Sequence, residues 1–227
     1  MIEHEICFGD ERYPAVLREI SDPPKKIFVL GDLSLLNRPQ IAIVGTRQPT
    51  IKGVQKARYF AHELSKLGFV VTSGMAIGIE TYAHIGCLQA NGKTIAVQPC
   101  GLDKIYPLSN ARLWHQIART GCLISEFSHN TQLQKHNFVQ RNRIVSGLVV
   151  GVLVVEATMQ SGTLTTARFA MEQGREVYAV PDAIDNEKAR GCHHLIKQGA
   201  KLVETVDDII VELENKIKCK VIEWQNI

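Results

Sequence analysis

From residue 41 onward, short runs rich in β-branched residues alternate with longer amphipathic stretches, and no other feature restricts the possible folds as much. The short runs are 41–44, 69–72, 94–97, 122–125, 149–155 and 177–180, with a weaker one at 201–203; the amphipathic stretches are 53–67, 79–90, 109–120, 137–148, 163–173 and 207–217. Strands apolar on both faces and joined by helical crossovers form a parallel sheet covered on both sides. The predicted class is α/β, a doubly wound and mostly parallel open sheet.

Gly68, Gly92, Gly121 and Gly174 each fall just past a predicted helix, where a left-handed cap is expected. Before residue 38 the pattern changes: 11–20 reads as one helix, Asp22-Pro23-Pro24 breaks the chain, and 27–30 reads as a strand. The expected organisation is an N-terminal appendage, residues 1–37, packed on a main domain of residues 38–217, with 218–227 as a C-terminal tail. With 227 residues, 45% of them hydrophobic, there is material for one sizeable core.

Composition narrows the function classes. The longest apolar runs, such as 148–155, fall far short of a membrane-spanning helix, and the N-terminus lacks the basic-then-apolar order of a secretory signal. A cytoplasmic protein with no membrane partner is expected. The six cysteines include no CxxC pair, unlike a disulfide framework or a thiolate zinc site. Cys192, His193 and His194 adjoin but have no second ligand cluster, so neither metal nor cofactor is expected. A net charge of +3 is compatible with a polyanionic partner without requiring one.

Ligands of an open α/β sheet bind beyond the carboxyl ends of its strands. Three loops there are rich in small residues: 45–50, containing Arg47 and Gln48; 73–80, containing Gly74; and 156–163, ending in Ser161, Gly162 and Thr163. Small residues let an anion reach backbone N–H groups at a helix N-terminus, where the helix dipole favours negative charge. Glycines also serve tight turns, but no turn requires Arg47. A fourth segment gathers Lys135, Asn137, Phe138, Arg141, Asn142 and Arg143, and helical spacing sets Phe138, Arg141 and Asn142 on one side. A ring beside cations suits a single strand, whose phosphates attract Arg and Lys while an unpaired base stacks on an aromatic face. The competing reading is a solvated basic helix with Phe138 in the core. All twelve residues named from these four segments are candidate contacts to single-stranded DNA.

Other motifs do not hold. Gly92-Lys93-Thr94 echoes a Walker tripeptide, but position 87 is Cys where the pattern needs Gly, and the tripeptide runs into a strand. The 74–78 loop departs from the GxGxxG fingerprint, which disfavours a nicotinamide-dependent oxidoreductase. Ser73, Ser161, His84 and Glu80 compose no persuasive catalytic constellation. A binding protein without catalytic residues is expected.

At these residues the sequence resembles the DNA-processing protein A (DprA/Smf) family. The matches are Tyr13-Pro14, Asp22-Pro23-Pro24, Ile43-Val44-Gly45-Thr46-Arg47, the 73–79 loop and Gly101-Leu102-Asp103-Lys104-Ile105-Tyr106-Pro107. They continue with Phe138, Arg141-Asn142-Arg143-Ile144, Glu156-Ala157, the 161–167 run, Ala179-Val180-Pro181, Leu195-Ile196 and Gly199-Ala200. The resemblance implies an extended Rossmann fold that binds single-stranded DNA, forms a homodimer, protects incoming DNA and loads RecA during natural transformation. It places Arg47, Lys135, Phe138, Arg141, Asn142 and the 161–163 loop around the phosphates. Glu80 stands where the family usually has Asp, Asp182 where it usually has Gly, and Cys192-His193 replaces a more usual Thr-Asn. The N-terminal helical domain and the C-terminal winged-helix-like domain that many members carry are expected to be lacking from this sequence or trimmed from it. Ile209, Ile210 and Leu213 could serve self-association or pack on the sheet. The alternative from another class is a nucleotide-processing enzyme of phosphoribohydrolase type, loosely echoed by Gln160-Ser161-Gly162-Thr163 but without that family's PGGxGTxxE run; Glu156 would be its residue to test.

Overall fold

In the computed structural model, which describes residues 2–214, the strands are β1 (Glu3–Cys7), β2 (Lys26–Gly31), β3 (Gln40–Val44), β4 (Val70–Ser73), β5 (Thr94–Val97), β6 (Cys122–Ser125), β7 (Gly151–Val154), β8 (Glu176–Ala179) and β9 (Lys201–Leu202). They form one sheet in the order β1-β2-β6-β5-β4-β3-β7-β8-β9, and from β6 to β9 every pairing is parallel. The helices are α1 (Ala15–Arg18), α2 (Ile51–Lys66), α3 (Ile79–Gln89), α4 (Ala111–Thr120), α5 (Lys135–Gly147), α6 (Gly162–Glu172) and α7 (Arg190–Lys197), followed by helical residues 206–214.

Strand residues alternate between two apolar layers because successive side chains point to opposite faces. Ile41, Ile43, Val71, Leu153 and Tyr178 pack under α2, α3 and the 206–214 helix, and Ala96 and Leu123 pack under α4 on the same side. Ala42, Val44, Ile95, Val97, Val152 and Val154 pack under α5, α6 and α7 on the other. The doubly wound class read from the alternation is the observed one. The chain steps outward from β3 through β4, β5 and β6, then returns through α5 to β7 on the opposite side of β3. This reversal opens a crevice at the carboxyl ends of β3 and β7.

The structure departs from the sequence reading at several elements. Gly68 and Gly174 do adopt positive φ, but after α3 the left-handed residue is Asn91 (φ 55°), and the φ of Gly121 is negative (−135°). Gly121 is needed for close approach instead, since a Cβ there would stand 2.3 Å from the Thr94 carbonyl oxygen. The helix expected over 11–20 is only the four residues of α1. β1, a half-polar strand carrying two glutamates, lacks a clear apolar alternation, and α7, though amphipathic, is too short at eight residues to stand out. β1 and β2 form an antiparallel pair that β2 joins to the edge of the sheet at β6, so residues before 38 lengthen the sheet. The Tyr13 hydroxyl donates to the Pro24 carbonyl oxygen (2.8 Å) and Asp22 pairs with Arg143 (2.9 Å), tying this segment down. The expected 218–227 tail and residues 215–217 of the last predicted helix lie outside the described residues. Among the described residues no helix is long and apolar enough to cross a membrane.

Candidate nucleic-acid interface

A cleft of about 520 Å³ occupies the switch point. Its walls come from the loop after β3, the start of α3, the first turns of α5, the β7–α6 connection, and Lys188 beyond β8. The loop after β3 is held at both ends. The Thr46 N–H donates to the Glu156 carbonyl oxygen (2.7 Å), and the Ile79 N–H donates to that of Thr46 (3.2 Å). Gly78, at φ 85°, permits this contact, because a Cβ there would stand 2.4 Å from the Thr46 carbonyl oxygen. At the far end the buried Glu156 carboxylate accepts from the Thr50 N–H (2.9 Å) and hydroxyl, while Thr50 Oγ1 caps α2 by accepting from the Gly53 N–H (2.9 Å). A carboxylate is favoured at a helix N-terminus. Glu156 therefore anchors the loop, and its oxygens are engaged by Thr50.

Arg47 emerges from this braced loop, is exposed, and lies with its guanidinium 5.3 Å from the Phe138 ring centroid. Phe138 in turn meets Tyr106 edge to face at 5.5 Å. Stacking of this kind fixes a planar cation without satisfying its charge. On the β7 side, Ser161 caps α6, its hydroxyl accepting from the Thr163 N–H (3.2 Å), and Gly162 has open space where a Cβ would be. Arg47, Gln48, Phe138, Arg141, Asn142, Ser161, Gly162 and Thr163 line the cleft together.

The remaining four candidates are placed differently. Gly74 touches the site only from behind: its missing side chain makes room for Arg141, whose Nη1 would be 1.2 Å from a Cβ at this position. Asn137 is buried and donates to the carbonyl oxygens of Pro99 (3.0 Å) and Gln132 (3.2 Å), which fastens the start of α5. Arg143 points away from the cleft into ion pairs with Glu126 (2.6 Å) and Asp22 (2.9 Å). Lys135 is exposed at the first residue of α5, outside the cleft.

Arg141 also differs from a surface helix cation. It is 3% exposed, donates from Nη1 to the Val97 carbonyl oxygen (3.2 Å) and faces Glu80 at 3.6 Å, while its Nε has no partner among the described residues. Burial lowers its pKa; Glu80 opposes that shift and Arg47 adds to it. The guanidinium nonetheless stays charged, as arginines in proteins do. Glu80 is itself held by the Ala76 N–H (2.9 Å). The cleft thus has a buried cationic floor, Arg141, and an exposed cation, Arg47, at its mouth.

Sequence reasoning missed Lys188 and the Tyr106 ring behind Phe138. Tyr106 lay inside a quoted motif, whereas Lys188 carries no local signal at all. Ser73 donates to the Ile43 carbonyl oxygen (2.7 Å) and His84 is buried against Thr94 (2.7 Å), so the side chains considered for a triad are engaged separately. Among the described residues no group of three metal-ligating side chains forms.

The model of the family described as DNA recombination-mediator protein A matches residues 4–214. Protein Smf of Escherichia coli is 45% identical over 212 residues, 93% of this chain and 57% of that protein. The structure of DNA processing protein A from Streptococcus pneumoniae superposes with a TM-score of 0.89 at 42% identity, covering 92% of this chain and 74% of that one. DNA processing protein A from Helicobacter pylori, whose structure was described for its single-stranded DNA binding mode, gives a TM-score of 0.84 at 31% identity, covering 94% of this chain and 96% of that one.

Proposed function

We propose, from the premise that this chain belongs to the DNA recombination-mediator protein A family, that the switch-point cleft binds the backbone of single-stranded DNA. Membership gives the chain a part in DNA processing. The observation that carries the finer reading is Arg47, exposed and stacked on Phe138 at the mouth of a cleft that the N-terminus of α6 closes on the other side. Phosphates meet Arg47, the Arg141 floor and the Ser161–Thr163 turn; a splayed base stacks on the Phe138 ring or the Arg47 plane. Bases are bound with little discrimination, because the cleft offers charge and a π face more than an ordered set of base-edge partners. The Helicobacter pylori relative's single-stranded DNA binding supports this reading.

With about three to five phosphates neutralised, log affinity falls with log salt at a slope near ~ −2 to −3.5. Titration of labelled oligonucleotide at several salt concentrations, single against double strands, measures this, and a slope near zero overturns the assignment. Lys135→Glu at the entrance to α5 weakens single-strand binding. The reading extends to the family role: the bound strand is handed to RecA, and the protein acts as a homodimer. RecA assembly on single strands with and without the protein, and sedimentation at varied concentration, test those two steps.

A further inference from the structure

Lys188 belongs to none of the loops singled out from the sequence, yet it lines the same cleft. It sits in a 3-10 turn, Glu187–Ala189, capped by Asn186, whose side chain accepts from the Lys188 N–H (3.0 Å). Two further bonds stitch this turn to the residue after Glu156: the Ala157 N–H donates to the Lys188 carbonyl oxygen (2.7 Å), and the Gly191 N–H donates to that of Ala157 (2.7 Å). The start of the same irregular segment is latched to α2, where Lys56 Nζ reaches the Pro181 carbonyl oxygen (3.1 Å) and the Asp182 carboxylate (3.0 Å). Asp182, the residue that replaces the family's usual glycine, supplies one half of that latch. A segment this closely pinned fixes where the lysine starts from.

The side chain is half-buried and has no carboxylate partner among the described residues. Among the described residues its ammonium is neither sealed from solvent nor engaged by a carboxylate, so it is available to an anion entering the cleft. Among the described residues that line the cleft, the cations Arg47, Arg141 and Lys188 face a single carboxylate, Glu80. Arg47 and Lys188 arise from loops beyond two different strands, β3 and β8, so the strand-binding surface spans the sheet on both sides of β7.

We infer that Lys188 is a backbone-binding residue that neutralises one phosphate at the α6 end of the cleft. The N-terminus of α6 favours an anion at the same place, and Gly162 leaves that end unobstructed. A lysine acts there as a point charge and does not need the planar fork of an arginine. The inference rests on the proposed single-strand binding by this cleft.

Salt-dependent binding of a labelled oligothymidylate to wild type, Lys188→Ala, Lys188→Arg, Arg47→Ala and Lys197→Ala separates the two ideas. Lys197 is an exposed cation on α7 outside the cleft. Lys188→Ala lowers affinity several-fold and makes the log-log slope shallower by about 0.7, the share of one phosphate on a single strand; Lys188→Arg restores the slope and Lys197→Ala leaves it unchanged. Equal melting temperatures for wild type and Lys188→Ala exclude a folding defect as the cause. If Lys188→Ala keeps the wild-type slope while Arg47→Ala loses its share, Lys188 makes no phosphate contact and the cleft reading survives. A wild-type slope near zero overturns both.

Discussion

Replacing Gly74 by alanine tests the buried half of the cleft. The φ of Gly74 is not positive, so the backbone would tolerate a side chain. The obstacle is Arg141: a Cβ would stand 1.2 Å from its Nη1 and 2.1 Å from its Cζ. Heavy atoms in contact sit ~3.5–4 Å apart, so the guanidinium has to retreat by roughly 2 Å. That displacement breaks its bond to the Val97 carbonyl oxygen (3.2 Å) and separates it from Glu80 (3.6 Å). A hydrogen bond from a charged group contributes about 1.5–3 kcal/mol, and stranding one member of a buried pair costs about 3–5 kcal/mol. Glu80 keeps the Ala76 N–H, which places the expected loss near the lower end, about 3 kcal/mol. For a chain of this size that lowers the melting temperature by about 6–12 °C. Urea unfolding measures it as a shift of midpoint at constant slope. In an Arg141→Ala background the same substitution has nothing to displace, and the double-mutant cycle returns a coupling of about 2 kcal/mol or more. A Gly74→Ala cost under about 1 kcal/mol, or an equal cost in both backgrounds, refutes the reasoning.

Other outcomes follow from the same placements. Arg47→Ala weakens single-strand binding while unfolding free energy changes by about 0.5 kcal/mol or less, whereas Asn137→Ala, which strips the buried Pro99 carbonyl and the partly buried Gln132 carbonyl of a donor, loses about 1–3 kcal/mol; equal stabilities for the two variants in urea contradict this division. His84 gives the pH test. The Thr94 hydroxyl donates to the Val71 carbonyl oxygen (2.6 Å), so its oxygen accepts from His84 Nδ1–H (2.7 Å), and Nε2 is buried with no partner among the described residues. Burial, with Arg141 adding to it, lowers the His84 pKa from 6.5 to about 3. The unfolded chain therefore takes up a proton that the folded one refuses: this contribution is full above pH 6.5 and is lost as pH falls toward 3, on the order of 1 kcal/mol per pH unit. His84→Gln flattens the urea-derived stability profile between pH 7.5 and 5, and a variant profile parallel to the wild type rules the assignment out.

Much of the candidate site was readable because its loops carry their own signatures. Arg47 has no role in its turn, the Ser161-Gly162-Thr163 run opens a helix, and Phe138 stands beside cations at helical spacing. What spacing could not say is which way each cation turns. Arg141 and Arg143 are two residues apart on α5, and the first forms the cleft floor while the second pairs with Asp22 and Glu126 on another side. Their acidic partners come from distant segments, and chain distance carries no record of them. The surroundings of Asn137 were hidden for the same reason: an amide at a helix start looks free until the carbonyl groups of Pro99 and Gln132 are seen beneath it.

By itself the sequence determined the βα alternation, the doubly apolar strands and hence a covered parallel sheet, because strand and helix periodicities are local consequences of backbone geometry. Tertiary structure alone decided that β3 and β7 are neighbours, that β2 joins β6, and that a lysine from beyond β8 shares a cleft with an arginine from beyond β3. Strand pairing and side-chain burial are settled by contacts between segments far apart in the chain, where hydrogen-bond satisfaction and the cost of an unpaired buried charge select among arrangements that local pattern leaves equivalent.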